Sequence, residues 1–266
     1  MAVPSSGILK ISDIAAEFQD STPYSLSEYY RGGAKVPNIS QNANVPTSGA
    51  IKLGNFYGAK FGLQYDYVGT GIAVSNLTTY TFNNIPLGAE DPTRRIYLVT
   101  IGIQATGSRT INSVTFDGAS TTTLASAGGT AQPFMHSVIS APTGSTANIS
   151  ITFSGSTTAG GVALYRVINQ QAALDSVFIQ NTTNPALNST GATRTMNTED
   201  GGFALVSLTT NADISASLAT TGWKVDDGYT QVFFGSSNTL TAAGTTTFAY
   251  TQPSASSRFS VTTLRA

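Results

Sequence analysis

The chain has 266 residues, with 13 basic and 14 acidic side chains for a net charge of −1, and no cysteine. That balance gives no attraction for a phosphate backbone, so nucleic acid is not an expected partner, and disulfides and thiolate metal sites are excluded. Only 10% of residues are charged against 40% hydrophobic, with 26 glycines, a composition that fits a β-rich fold with a polar surface and not a disordered chain. No run approaches about 18 apolar residues and Met1 to Ser5 carries no charged or apolar leader, so neither membrane insertion nor secretion is expected.

The first sixty residues repeat one short phrase. Ser6-Gly7-Ile8-Leu9-Lys10-Ile11-Ser12-Asp13-Ile14 aligns without gaps on Ser48-Gly49-Ala50-Ile51-Lys52-Leu53-Gly54-Asn55-Phe56, an offset of 42. Each copy has Ser-Gly, Lys at the fifth place and an apolar residue at the fourth, sixth and ninth, a spacing that closes one helical turn after an extended lead-in. Between them, Ser25-Leu26-Ser27-Glu28 fits a capping box, with Ser25 accepting from the Glu28 N–H. Two or three short helices are predicted, too small to bury their own apolar side chains. The expectation is an anchoring and oligomerisation segment over residues 1–61. In it Ile8, Ile11, Ile14, Phe18, Tyr29, Tyr30, Ile51, Leu53, Phe56 and Tyr57 would be covered by something larger, a neighbouring subunit or the following domain.

The run from Ser5 to Phe18, then Ser25 to Gly33, Val36-Pro37 and Ile51 to Gly58 resembles the N-terminal segment of structural proteins of tailed bacteriophages, of minor tail, spike or fibre type. The departure from that pattern at Lys52 and Gly54-Asn55 predicts weaker capping of the last short helix. The resemblance implies a virion location after assembly in the host cytoplasm, with other capsid or tail proteins and sister subunits as partners. A homo-oligomer, a trimer by analogy, goes with it.

From Gln64 onward short β-type runs alternate with Gly, Asn and Pro. Predicted strands are 65–68, 78–82, 96–103, 111–116, 122–125, 132–139, 147–153, 161–168, 176–180, 202–209, 231–234, 245–250 and 259–264. Ile149, Ile151 and Phe153 place every second side chain on one face, and the nearly unbroken apolar run Ile96 to Ile103 reads as a central strand buried on both faces. Asp117-Gly118 is a two-residue hairpin signal and Pro142-Thr143-Gly144 a second reversal. Residues 62–266 are therefore expected to form a mainly β, antiparallel, jelly-roll-like β-sandwich. Tyr80-Thr81-Phe82, Leu87-Gly88-Ala89, Arg94-Arg95-Ile96, Arg109 to Val114, Pro142-Thr143-Gly144 and Ile151 to Gly155 are similar to a β-sandwich module of the same phage proteins.

Candidate chemistry is sparse. His136, the single histidine, lies in Phe134-Met135-His136-Ser137-Val138 without a nucleophile elbow or acid to form a triad. Glu90 and Asp91 sit beside Arg94-Arg95 and read as ion-paired turn residues; Asp117 reads as hairpin geometry. Trp223-Lys224-Val225-Asp226-Asp227-Gly228-Tyr229 combines a flat ring with two carboxylates. Trp223, Asp226, Asp227 and Tyr229 could therefore hold a glycan, the competing reading being a core Trp beside an Asp-Asp-Gly turn. Host surface polysaccharide is the corresponding partner. No catalytic residue, metal or cofactor is assigned, and an enzyme, which would be a polysaccharide depolymerase, is the least favoured reading.

Overall fold

The computed structural model describes residues 3–18, 20–36, 42–61, 63–91, 94–103, 107–128, 132–168, 170, 191–198, 201–210, 213–237, 244–251 and 257–264. The chain divides into two compact units, Met1–Leu63 and Gln64–Ala266. In the first, helix α1 (Ile11–Glu17) is followed by 3-10 turns at Leu26–Glu28 and Leu53–Phe56.

The sequence repeat is a structural repeat. Gly7 and Gly49 both take positive φ, +94° and +81°, a region open to glycine. The Lys10 N–H donates to Asp13 Oδ2 and the Lys52 N–H to Asn55 Oδ1, each at 2.8 Å. Asn55 thus caps its turn as Asp13 does, which corrects the expectation of a weakened cap. A tyrosine hydroxyl closes each copy, Tyr57 onto the Gly7 carbonyl and Tyr30 onto the Gly49 carbonyl. The expected Ser25 side-chain cap is replaced by a backbone bond, Glu28 N–H to Ser25 O at 3.1 Å, with the Ser25 hydroxyl turned to Ser27 Oγ.

This unit has its own core. Phe18 packs against Tyr29, Phe56 and Phe61 with ring centroids 5.9–6.3 Å apart, joined by Ile14, Val36 and Val45. Ile14, Phe18, Tyr29 and Phe56 are at most 1% exposed. Below them Asp20 accepts from Tyr29 Oη at 2.7 Å and pairs with Lys35 at 2.5 Å, and these contacts hold its carboxyl down at about 2.

The second unit is an antiparallel β-sandwich of β1 (Gln64–Pro86), β2 (Arg95–Ile103), β3 (Ile111–Phe116), β4 (Ala119–Ser120), β5 (Thr122–Ala127), β6 (Phe134–Ser140), β7 (Thr146–Ile168), β8 (Gly191–Thr198), β9 (Phe203–Thr210), β10 (Ala219–Thr221), β11 (Trp223–Tyr229), β12 (Val232–Ser237), β13 (Gly244–Thr251) and β14 (Ser257–Leu264). Among the described residues three sheets form: seven strands in the order β4-β3-β7-β2-β6-β5 with β1 also on β7, four as β11-β12-β9-β14, and three as β10-β13-β8. The expected strands 65–68 and 78–82 are one 23-residue strand, β1, and 147–153 and 161–168 are one 23-residue strand, β7. The expected strand 176–180 lies outside the described residues.

The first half of β7 borders β3 and the second half borders β2 on the same side, so the ribbon of β1 and β7 changes neighbour near residues 154–158. Register shifts in β1 at 74/77 and 77/79 fall opposite this point, and such bulges bend a strand. The bent sheet covers its own core of Tyr80, Leu98, Phe116, Ile149, Ile151, Phe153 and Leu164. Gly160 leaves room for Tyr80, whose ring would stand 2.8 Å from a Cβ there. β2 is buried on both faces, as its apolar run predicts, and Asp117 and Gly118 both take positive φ in the two-residue β3–β4 hairpin.

The four-stranded sheet is covered on both faces. One face shares a core with the three-stranded sheet through Trp223, Phe233, Phe248, Tyr250 and Phe259. The other meets the seven-stranded sheet, where Phe203 stacks on Tyr65 at 4.7 Å and meets Tyr97 edge-on at 6.2 Å.

Because the two units have separate cores, Phe18→Ala should destabilise Met1–Leu63 by about 3–5 kcal/mol, the cost of deleting a buried ring. Scanning calorimetry should then show one transition lowered and that of the β unit unmoved. Loss of both together is the outcome against separate cores.

Candidate functional site

The Trp223-to-Tyr229 run is a strand, β11, and not a turn; the reversal comes at Thr230-Gln231, between Tyr229 and its partner Val232. Trp223 is 1% exposed, tilted against Phe259 at 5.8 Å, and its Nε1–H donates to Ala249 O at 2.7 Å. It is a core residue and presents no face to a sugar, which corrects its place in the candidate site.

Asp226 is the extra residue of a bulge, since Val225 pairs with Gly235 and Asp227 with Phe234. The bulge turns its side chain inward to 3% exposure, where Lys224 Nζ lies 3.0 Å from Oδ1. The wholly buried Tyr165 hydroxyl lies beside Asp226, and neither it nor Oδ2 completes a hydrogen bond of ordinary geometry. Burial first, and then the Asp226 charge, holds that hydroxyl far above the usual tyrosine range. Asp226 is therefore a structural carboxylate beneath the surface and is not placed to touch a ligand.

Asp227 and Tyr229 do meet in one place. With Gly228 and with Thr70, Ile72 and Val74 of β1 they line an open groove of about 470 Å3. Tyr67 Oη donates to Asp227 Oδ2 at 2.6 Å and the Gly228 N–H to Oδ1 at 2.7 Å, so the carboxylate is held from two sides. Burial and the Asp227 hydrogen bond keep the Tyr67 hydroxyl protonated well beyond its ordinary range. Thr70 Oγ1 donates to Val162 O at 2.7 Å. Tyr229 is 54% and Val74 65% exposed. The β1 half of this wall was missed because the expected strand stopped at Val68. The alternation Thr70, Ile72, Val74 was the available signal.

The other candidates resolve into structure. His136 is fully buried between sheets, its Nε2 3.3 Å from Ser260 Oγ, which is itself 2.5 Å from Ser207 Oγ. Burial pushes its pKa down to about 3, and an enclosed neutral imidazole cannot reach a substrate. Glu90 accepts from the Gly144 N–H at 2.5 Å, while the buried Arg94 guanidinium donates to the carbonyls of Gly88, Ala89, Pro142 and Gly144. Arg94 thus clamps two loops through their carbonyls, with the Glu90 and Asp91 charges close enough to act on its guanidinium. Asp117 Oδ1 accepts from the Asn148 N–H at 2.7 Å, a turn role. Among the described residues no three His, Cys, Asp or Glu side chains converge as a metal site requires.

Of the expected anchoring residues, Ile14, Phe18, Tyr29 and Phe56 are already covered within Met1–Leu63, which corrects the expectation that neighbours must shield them. Ile11, Tyr30, Ile51, Leu53 and Tyr57 are half-buried, and Ile8 stands 85% exposed where the second copy has Ala50. No family model matches the chain and no curated protein matches it.

Two outcomes follow from these placements. Trp223→Ala should lower stability by about 3–5 kcal/mol, seen as a lower melting temperature of the β unit; an unchanged melt would contradict the core assignment. The depressed pKa of His136 means that the unfolded chain takes up a proton below about 6.5 while the folded chain does not until about 3. Stability is therefore full above about 6.5 and falls with acidification, by ~2 kcal/mol between pH 7 and pH 5 from this group. Urea unfolding at both pH values should show that loss, and His136→Gln should flatten it.

Proposed function

We propose that this chain is a non-enzymatic structural component of a tailed-phage virion, with Met1–Leu63 as the attachment unit and Gln64–Ala266 as the displayed unit. The observation that carries the proposal is the division into two units with separate cores. One can seat in a particle while the other stays folded outside it. The repeated Ser-Gly motif, which resembles the N-terminal segment of such proteins, supports it from the sequence. Self-association to a symmetric oligomer, a trimer by preference, belongs to the same reading.

The surface chemistry revises which residues make the contact. With Ile14, Phe18, Tyr29 and Phe56 committed to an internal core, attachment rests on Ile8 and the half-buried Ile11, Tyr30, Ile51, Leu53 and Tyr57. A second reading, contact with host surface glycan, is favoured by the groove that joins Asp227 and Tyr229. A depolymerase has less support: the only imidazole is enclosed, and Glu90, Asp226 and Asp227 are all held by structural contacts.

A fluorescent protein fused to Met1–Leu63 and produced alongside the other particle proteins should sediment with particles, whereas Gln64–Ala266 alone should not. Ile8→Asp should reduce the incorporated fraction without unfolding the unit. Incorporation of Gln64–Ala266 alone, or of neither piece nor the full chain, would overturn the proposal.

A further inference from the structure

Resting on the reading that the displayed unit meets a host surface, we propose that the groove between β1 and β11 binds a neutral pyranose ring of a surface polysaccharide through Tyr229, Asp227 and Thr70. The argument is one of donors and acceptors. Thr70 donates its hydroxyl proton to Val162 O and lies within hydrogen-bonding reach of the Tyr67 hydroxyl, so toward a ligand it serves as an acceptor. Asp227 is an acceptor held by Tyr67 and Gly228, each taking one site on a different oxygen, which leaves one acceptor direction free on each. A groove with such walls calls for a ligand rich in O–H donors.

The remaining walls select among such ligands. Ile72, Val74 and the Tyr229 ring supply an apolar surface that suits the C–H face of a pyranose, while a compact ammonium ion would leave it uncovered. A uronic or sialic acid would bring its carboxylate toward Asp227 with no cation lining the groove. For an amine, a single carboxylate in an open, wet groove gives little net attraction. Tyr67 is the positioning residue: its hydroxyl fixes the Asp227 carboxylate before a ligand arrives, so the carboxylate need not be ordered on binding.

The test is a titration of the full-length 15N-labelled protein with methyl β-D-glucopyranoside, methyl β-D-galactopyranoside and methyl α-D-mannopyranoside. Glucosamine and glucuronate serve as charged counterparts, each measured at low and high salt. At least one neutral glycoside should move the amide resonances of Thr70, Gly228 and Tyr229, with an affinity indifferent to salt. Tyr229→Ala should weaken that binding roughly tenfold, the loss of one stacking contact. Tyr67→Phe should weaken it severalfold with the amide spectrum of the folded β unit retained, the melting temperature falling by no more than the loss of one hydrogen bond to a carboxylate explains. The proposal is overturned if none of the neutral glycosides moves those amides, if only glucosamine or glucuronate does, or if Tyr229→Ala has no effect.

Binding of the same proteins to host cells, measured in parallel, separates this inference from the reading beneath it. Cell binding that survives Tyr229→Ala would remove the groove and keep the host contact. Glycoside binding without cell binding would keep the groove and remove the host contact.

Discussion

The pairing of β1 with β7 is the interaction on which the β unit depends. Two 23-residue strands run antiparallel from Gln64↔Ile168 to Pro86↔Thr146, and strands β2 and β3 are laid against β7 at its two halves. A ribbon of that length cannot stay flat, because strand twist accumulates along it. The bulges in β1 and the small residues Ser154 to Gly160 in β7 allow it to bend, and the bend brings both halves of the apolar face around one core. The same side chains pack across that core because the ribbon folds where its residues are smallest.

The ribbon also sets the position of the groove. Along β1, Tyr65, Tyr67, Thr70, Ile72 and Val74 turn toward the four-stranded sheet and the groove, while Gly69, Gly71 and Ala73 turn toward the bent sheet's own core. Tyr65 stacks on Phe203 and bonds the Ser237 carbonyl, and Tyr67 bonds Asp227. These contacts hold β11 beside β1, and the bulge at Asp226 then decides which carboxylate faces which way. Asp226 goes inward to Lys224 and Tyr165, and Asp227 goes to the surface. Two adjacent aspartates that look equivalent in the sequence are given different work by one inserted residue. Between the same sheets, His136, Ser207 and Ser260 form a buried polar layer that makes this contact more sensitive to acid than an apolar one would be.

In Met1–Leu63 the organising constraint is the repetition itself. Each copy turns at a positive-φ glycine, caps its turn by an Asx side chain at the same offset, and sends its ninth residue, Ile14 or Phe56, into the shared core. The tyrosine hydroxyls that close the copies come from outside them or from just beyond their ends, so each lock ties distant parts of the unit together. This is how about sixty residues with little regular structure hold a defined shape. The difference between the copies, Ile8 against Ala50, leaves one apolar side chain bare.

The sequence by itself determined the β class, most strand positions, the Asp117-Gly118 hairpin and the repeat. These are local matters, in which alternation, turn geometry and capping act within a few residues. It could not determine that 147–153 joins 161–168, because the Gly, Ser and Ala among residues 154–160 have weak strand preference and become strand only with β1 as partner; between 65–68 and 78–82 the alternation of Thr70, Ile72 and Val74 was legible, but Gly69, Gly71, Ser75 and Asn76 interrupt it. β8 was missed in the same way, since Gly191–Thr198 alternates little and is held by β13. Tertiary structure alone decided that Trp223 is core, that Asp226 and Asp227 part company, and that Ile14, Phe18, Tyr29 and Phe56 cover one another. Burial is a property of what lies opposite a side chain, and what lies opposite here comes from residues tens of positions away in the chain.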